Sequence, residues 1–149
     1  MSSRYQTHTF TTASVAAAAT SNNDRTGLPS LINIHKISVV PNAAGGSFDV
    51  SIYKSDTYAA AKLLAFWDNV ANGTVGLIDP MNDSSGTPAA ALEGAGLPYD
   101  DDDDTGELHI QIINNDGSSH TYDVSVTYEE VPRFLGAGAM QNRSTAPRY

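Results

Sequence analysis

Residues 107–131 read ELHIQIINNDGSSHTYDVSVTYEEV, and the reading of this stretch decides the fold. Leu108, Ile110 and Ile112 alternate with His109 and Gln111; further on, Tyr122, Val124, Val126 and Tyr128 alternate with Asp123, Ser125, Thr127 and Glu129. A period of two is that of a β-strand with one buried face. Asn115-Asp116-Gly117 between the two runs supplies residues that tolerate positive φ, which predicts a β-hairpin over 107–131. Pro132 ends it.

Working outward, SLINIHKISVV at 30–40 is rich in β-branched residues and stops at Pro41. Ile32 and Ile34 fall on one face and Ile37 and Val39 on the other, so either both faces are covered or a bulge near His35-Lys36 switches them. PNAAGG then leads into SFDVSIYKS, where Phe48, Val50 and Ile52 share a face, and a second hairpin is expected. The period changes in SDTYAAAKLLAFWDNVANG. Ser55 or Asp56 can cap a helix, Ala60, Leu63, Leu64 and Trp67 recur at helical spacing, and Asn72-Gly73 closes it, predicting a helix over about 56–71. Residues 74–98 carry three prolines and four glycines and read as an irregular loop, with one helical turn at 89–92. Residues 1–29 lack a sustained period and read as an N-terminal arm; residues 132–149 read as a C-terminal arm around a body at 30–131.

The 149-residue chain suffices for one domain with a real core. It has no cysteine, which excludes disulfides, zinc–thiolate centres and thiol nucleophiles. The small-residue run at 13–19 is too short and polar for a signal peptide, and no apolar run approaches the ~20 residues of a membrane helix, so a soluble chain is expected. Charge is unevenly placed within the net −9. Residues 30–131 set three lysines against sixteen acids, a net of −13, while residues 1–29 carry +1 and residues 132–149 carry +3. Such a body repels phosphate, so nucleic acid is not an expected partner, whereas the ends can dock on acidic surface.

The five aspartates at 100–104 invite a metal reading. Counted from Asp101, an EF-hand loop would need its bidentate glutamate at Ile112, inside a strand, so that reading fails. A different calcium site built from two or three of these carboxylates competes with a solvated loop whose turn Gly106 permits; the solvated loop is the expectation. His109 and His120 could pair across the expected hairpin, although exposed polar neighbours are the simpler account. There is no G-x-S-x-G and no phosphate-binding glycine loop, and Trp67 on an apolar stripe reads as core. No catalytic, cofactor or metal residue is assigned, and an enzyme is not expected.

The order of YKSDTYAAA at 53–61, GLIDP at 76–80 and TGELHIQIINNDG at 105–117, followed by a closing strand, resembles small virion proteins of tailed bacteriophages. The resemblance covers roughly residues 37–128 and is to the capsid decoration, or cement, type. It implies a small β-sandwich body that trimerises on a capsid surface, with the major capsid protein or other virion proteins as partners. The expected fold is mainly β: a small antiparallel β-sandwich with one helix and extended N- and C-terminal arms. The expected function is a non-enzymatic structural role on the virion surface, without membrane contact. The alternatives are a β-sandwich binding module for carbohydrate or host surface, or another head or tail component. Expected partner-contact residues are Phe10, Arg133, Phe134, Leu135, Met140, Arg143, Arg148 and Tyr149, which pair basic groups with apolar anchors on the arms.

Overall fold

The computed structural model describes residues 5–29, 31–71, 76–78, 97–103 and 106–131. In chain order the strands are β1 (Tyr5–Thr11), β2 (Thr20–Arg25), β3 (Leu31–Pro41), β4 (Ser47–Tyr53), β5 (Leu63–Ala71), β6 (Gly76–Ile78), β7 (Leu97–Asp100), β8 (Leu108–Asn114) and β9 (Tyr122–Glu130). They form two antiparallel sheets. One has the order β1-β9-β3-β6, with β7 also paired to β3; the other has the order β2-β8-β4-β5. β6 pairs with Ile37–Val39 and β7 with Leu31–Ile34, so the two short strands share one edge of β3. Counting them as one interrupted strand, the eight positions follow the strand order of a jelly roll, two sheets built from interleaved Greek keys.

The fold is mainly β and sandwich-like, as expected, but its connections differ. β8 and β9 do not form a hairpin: β8 pairs with β2 and β4, and β9 with β1 and β3, in opposite sheets. β3 and β4 likewise lie in different sheets. Alternation tells each strand which face to bury, and both sheets bury a face toward the same core. It therefore cannot distinguish a hairpin from a corner that crosses between sheets.

The inward residues are those the period of two singles out. Phe48, Val50, Ile52, Leu108, Ile110, Ile112, Tyr122, Val124, Val126 and Tyr128 are all buried. The register of β3 shifts between Ile34 and Lys36, and this bulge brings Ile32, Ile34, Ile37 and Val39 all inside.

The expected helix is a strand. Only Ala60–Lys62 keep one 3-10 turn; Leu63–Ala71 pair with β4 from Ser47↔Ala71 to Tyr53↔Leu63. A helix of about fourteen residues is marginal in water, whereas β4 has a row of backbone groups that must be satisfied. As a strand the segment still buries Trp67 together with Ala65, and it leaves Leu63 39% exposed. The residues expected as an N-terminal arm are also strands. β1 pairs residue for residue with β9, and β2 with β8, although TSNNDR contains few strand formers. Of the expected 74–98 loop, residues 76–78 and 97–98 are strand, and the turn at 89–92 lies outside the described residues, as does the C-terminal arm.

The register defines two ends. At one, Asn114 is fully buried and its amide donates to the carbonyls of Val15 (3.0 Å), Ala16 (3.2 Å) and Ser118 (2.8 Å), tying the β1–β2 and β8–β9 connections together. At the other, Gly106 has φ +74° and a Cβ there would lie 2.5 Å from the Leu28 carbonyl oxygen, so the turn before β8 does need glycine.

Candidate functional site

Phe10, the expected anchor of the N-terminal arm, is buried on β1 with the Arg25 guanidinium 4.5 Å over its ring. It is a core residue with a cation–π cover. Arg133, Phe134, Leu135, Met140, Arg143, Arg148 and Tyr149 lie outside the described residues.

The acid run sits at the Gly106 end, and it is not uniformly solvated. The chain leaves β7 at Asp100 and turns back toward β8, and the Asp101 side chain is driven fully inside. One of its oxygens accepts the Asp103 amide (3.1 Å) and His109 Nε2 (3.1 Å), and the other accepts the Glu107 amide (3.2 Å). Asp102 stays at the surface, 2.7 Å from Lys62 Nζ and 3.9 Å from Lys54 Nζ. Asp103 accepts the Asp56 amide at 3.3 Å and approaches His109 Nε2 at 3.8 Å. Asp104 lies outside the described residues. One aspartate of the run therefore works as an interior hydrogen-bond acceptor, which corrects the expected solvated loop.

His109 is at the centre of this end. It projects from the outer face of β8, yet its side chain has no exposure, with Asp24, Tyr58 and the acid run, through Asp101, set against its ring. From β2, Asp24 places an oxygen 2.7 Å from Nδ1. From the β4–β5 connection, Tyr58 sets its ring at 83° to the imidazole, centroids 6.2 Å apart, and donates its hydroxyl to Asp24 at 2.8 Å. From β7, buried Tyr99 donates its hydroxyl to the Glu107 carbonyl (2.8 Å) and accepts the His109 amide (3.2 Å). Tyr58 has φ +53°, a left-handed backbone that is strained for a bulky residue. Burial works against a charge on His109, but its hydrogen bonds to the Asp24 and Asp101 carboxylates outweigh it and raise its pKa above the ordinary histidine value. Burial, then the bond to Asp24, raises the Tyr58 phenol far above its ordinary value, so it remains a donor.

Ligand-type atoms of Asp101, Asp103 and His109 lie within 4.8 Å of one another, as do those of Asp24, Glu107 and His109. A metal would need a lone pair on His109, whose ring nitrogens stand 2.7 Å and 3.1 Å from carboxylate oxygens, so a cation here would compete with the proton for that nitrogen.

The other histidines are separate. His120 is buried at the opposite end, with Nε2 2.6 Å from Asp116 and Nδ1 3.2 Å from Asn42 Oδ1, so it does not meet His109. His8 accepts from Arg25 Nε at 3.4 Å, and burial followed by that guanidinium lowers its pKa. The sequence hinted at His109 only by setting it between apolar residues on a strand that follows an acid run. Asp24, in an all-polar stretch, gave no signal.

A cavity of about 200 Å³ lined in part by Leu31, Lys54, Leu64, Pro98 and Asp102 opens beside the acid run. It is smaller than the ~300–1,000 Å³ of most ligand pockets.

No family model and no curated protein matches the chain. Among solved structures, the chain is similar to the VP2 subviral particle of infectious bursal disease virus, with 13% identity and a TM-score of 0.30, over 87% of this chain and 38% of that one. It is also similar to the T=1 particles derived from that virus, with 12% identity and a TM-score of 0.31, over 87% and 37%. The Gx strain of the same virus gives 15% identity and a TM-score of 0.26. The chain thus spans less than two-fifths of these neighbours. The fold assignment rests on the strand order above and not on these likenesses.

Proposed function

We propose that the chain is a non-enzymatic structural subunit of a virion, of the capsid decoration type, that associates with itself and with a major capsid protein. The single observation that carries this reading is the jelly-roll order, β1-β9-β3-β6/β7 over β2-β8-β4-β5. Jelly rolls recur in viral capsid proteins, lectins and cupins, so the argument is one of fold-level analogy. Between those classes, the packing of the sheets favours a building block. Phe48, Trp67, Tyr99 and Tyr122 fill the space where an interior site would have to open. The charge split adds a means of assembly, since a +3 segment at 132–149 is drawn to an acidic body.

Sedimentation velocity on the full chain tests this. An oligomer, expected as a trimer, should form. Phe134→Ala should weaken it more than Arg133→Ala, Arg143→Ala or Arg148→Ala, because exposed ion pairs contribute only about 0.2–1 kcal/mol. Raising salt should have little effect, since apolar burial survives a Debye length reduced to about 3 Å at 1 M. A chain that is monomeric at every concentration and joins no capsid particle overturns the reading. Binding to a glycan array instead would favour the lectin-like module.

A further inference from the structure

We propose that His109 is a proton-operated clasp: its doubly protonated ring ties the loop between β7 and β8 to β2 and the β4–β5 connection, and loss of one proton releases that loop. The argument is one of donors and acceptors. A neutral imidazole has one N–H, so a neutral His109 would aim a lone pair at Asp24 or at Asp101. Neither carboxylate is placed to supply the missing proton. Both Asp101 oxygens already accept backbone amides, from Asp103 and Glu107, and the Asp24 oxygen facing the ring already accepts the Tyr58 hydroxyl. The proton therefore belongs on the histidine, with 2.7 Å and 3.1 Å contacts on its two sides.

The groups that face the ring come from every neighbouring element. They are Asp24 on β2, Tyr58 on the β4–β5 connection, and Asp101, Asp103 and Glu107 on the loop, with Tyr53 of β4 paired opposite His109 and Tyr99 of β7 bonded to its backbone amide. Four of them are acids, and the nearest lysines, Lys54 and Lys62, are engaged with Asp102. Without the imidazolium, Asp24, Asp101 and Asp103 are left facing one another around a neutral ring. Tyr58, with its left-handed backbone, is tied to the same cluster through its hydroxyl bond to Asp24. The part that lets go is the stretch 101–103 together with Glu107, because it is bound to His109 of β8 through Asp101. β9 and β3 make no use of the ring.

Two measurements by NMR test this on the full chain: the titration of the His109 ring, and amide exchange across 101–109 as a function of pH. His109 should keep both protons to a pH above the ordinary ~6.5. Through its own titration the Asp103, Glu107 and His109 amides should quicken at least tenfold beyond the intrinsic rise, while Val124 and Val126 do not. His109→Gln should show fast loop exchange at every pH with no step. Should that variant not fold, Asp24→Asn keeps the test alive by moving the step to lower pH. A ring that titrates at or below ~6.5, a loop with no step, or a step that Asp24→Asn leaves in place overturns the proposal.

Discussion

His109 and His8 show how two residues of one type come to opposite electrostatic ends through their neighbours. His109 faces Asp24 and Asp101, and His8 faces Arg25. The sign of each contribution to stability follows from linkage. A folded pKa raised above the unfolded ~6.5 means His109 stabilises fully below that value, and the contribution disappears as pH rises through the folded pKa. His8, with its pKa lowered, contributes above ~6.5 and loses the contribution as pH falls; being partly exposed, it is the smaller effect. The melting temperature should therefore drop as pH rises above about 6.5 and through the raised pKa of folded His109. In His109→Gln that alkaline drop should vanish, as thermal unfolding followed by circular dichroism would reveal. An unchanged slope would mean that His109 is neutral in the fold. Nothing in the order of residues announced this pairing. Asp24 and His109 lie 85 positions apart, in strands whose pairing depends on the whole topology.

At the scale of elements, the segment from Leu63 to Ala71 is the instructive case. A helix would bury Leu63 with Trp67; the strand buries Trp67 with Ala65 and leaves Leu63 at the surface. Trp67→Ala should therefore cost about 3–5 kcal/mol, as large-to-small changes of a buried aromatic do. Leu63→Lys should stay within about 0.5 kcal/mol, the range of surface substitutions. Urea unfolding of both variants checks the pair, and a large loss for Leu63→Lys would argue for the helix. The strands with a clean alternation, β4, β8 and β9, could be read directly from sequence, and so could the bulge in β3 as one of two options. β1 and β2 could not. TSNNDR has no apolar face to detect, and it is held by backbone pairing to β8 and by contacts such as Gln111 Nε2 to Asn22 Oδ1 at 2.9 Å. Tertiary pairing overrides intrinsic preference there. Sheet partners were hidden for the same reason, since the period of two is blind to which strand lies alongside.

For the whole molecule, the sandwich closes only when both ends of residues 5–131 are present. Deleting residues 133–149 should leave the β signal and the cooperative transition intact, because β9 ends at Glu130. Deleting residues 1–29 should not, since it strips β1 from β9 and β2 from β8. Far-ultraviolet circular dichroism and thermal melting of the two truncations would separate an appendage from a structural strand. Folded protein after loss of residues 1–29 would show that β1 and β2 are dispensable.

The pairing of β1 with β9 also sets a timetable. Thr7 and Thr127 touch through their hydroxyls at 3.4 Å although 120 residues separate them. At roughly 5–20 residues per second of synthesis, the first strand waits on the order of ten seconds for its partner to leave the ribosome. Through that interval YQTHTFT is a nascent strand with threonines at alternate positions and no Asp, Glu, Lys, Arg or Pro to discourage another chain from pairing with it. The local β4–β5 pair can form early, but the sheet that holds β1 is completed last. Crowded polysomes, where many such first strands wait side by side, are where this chain is most exposed to misassembly.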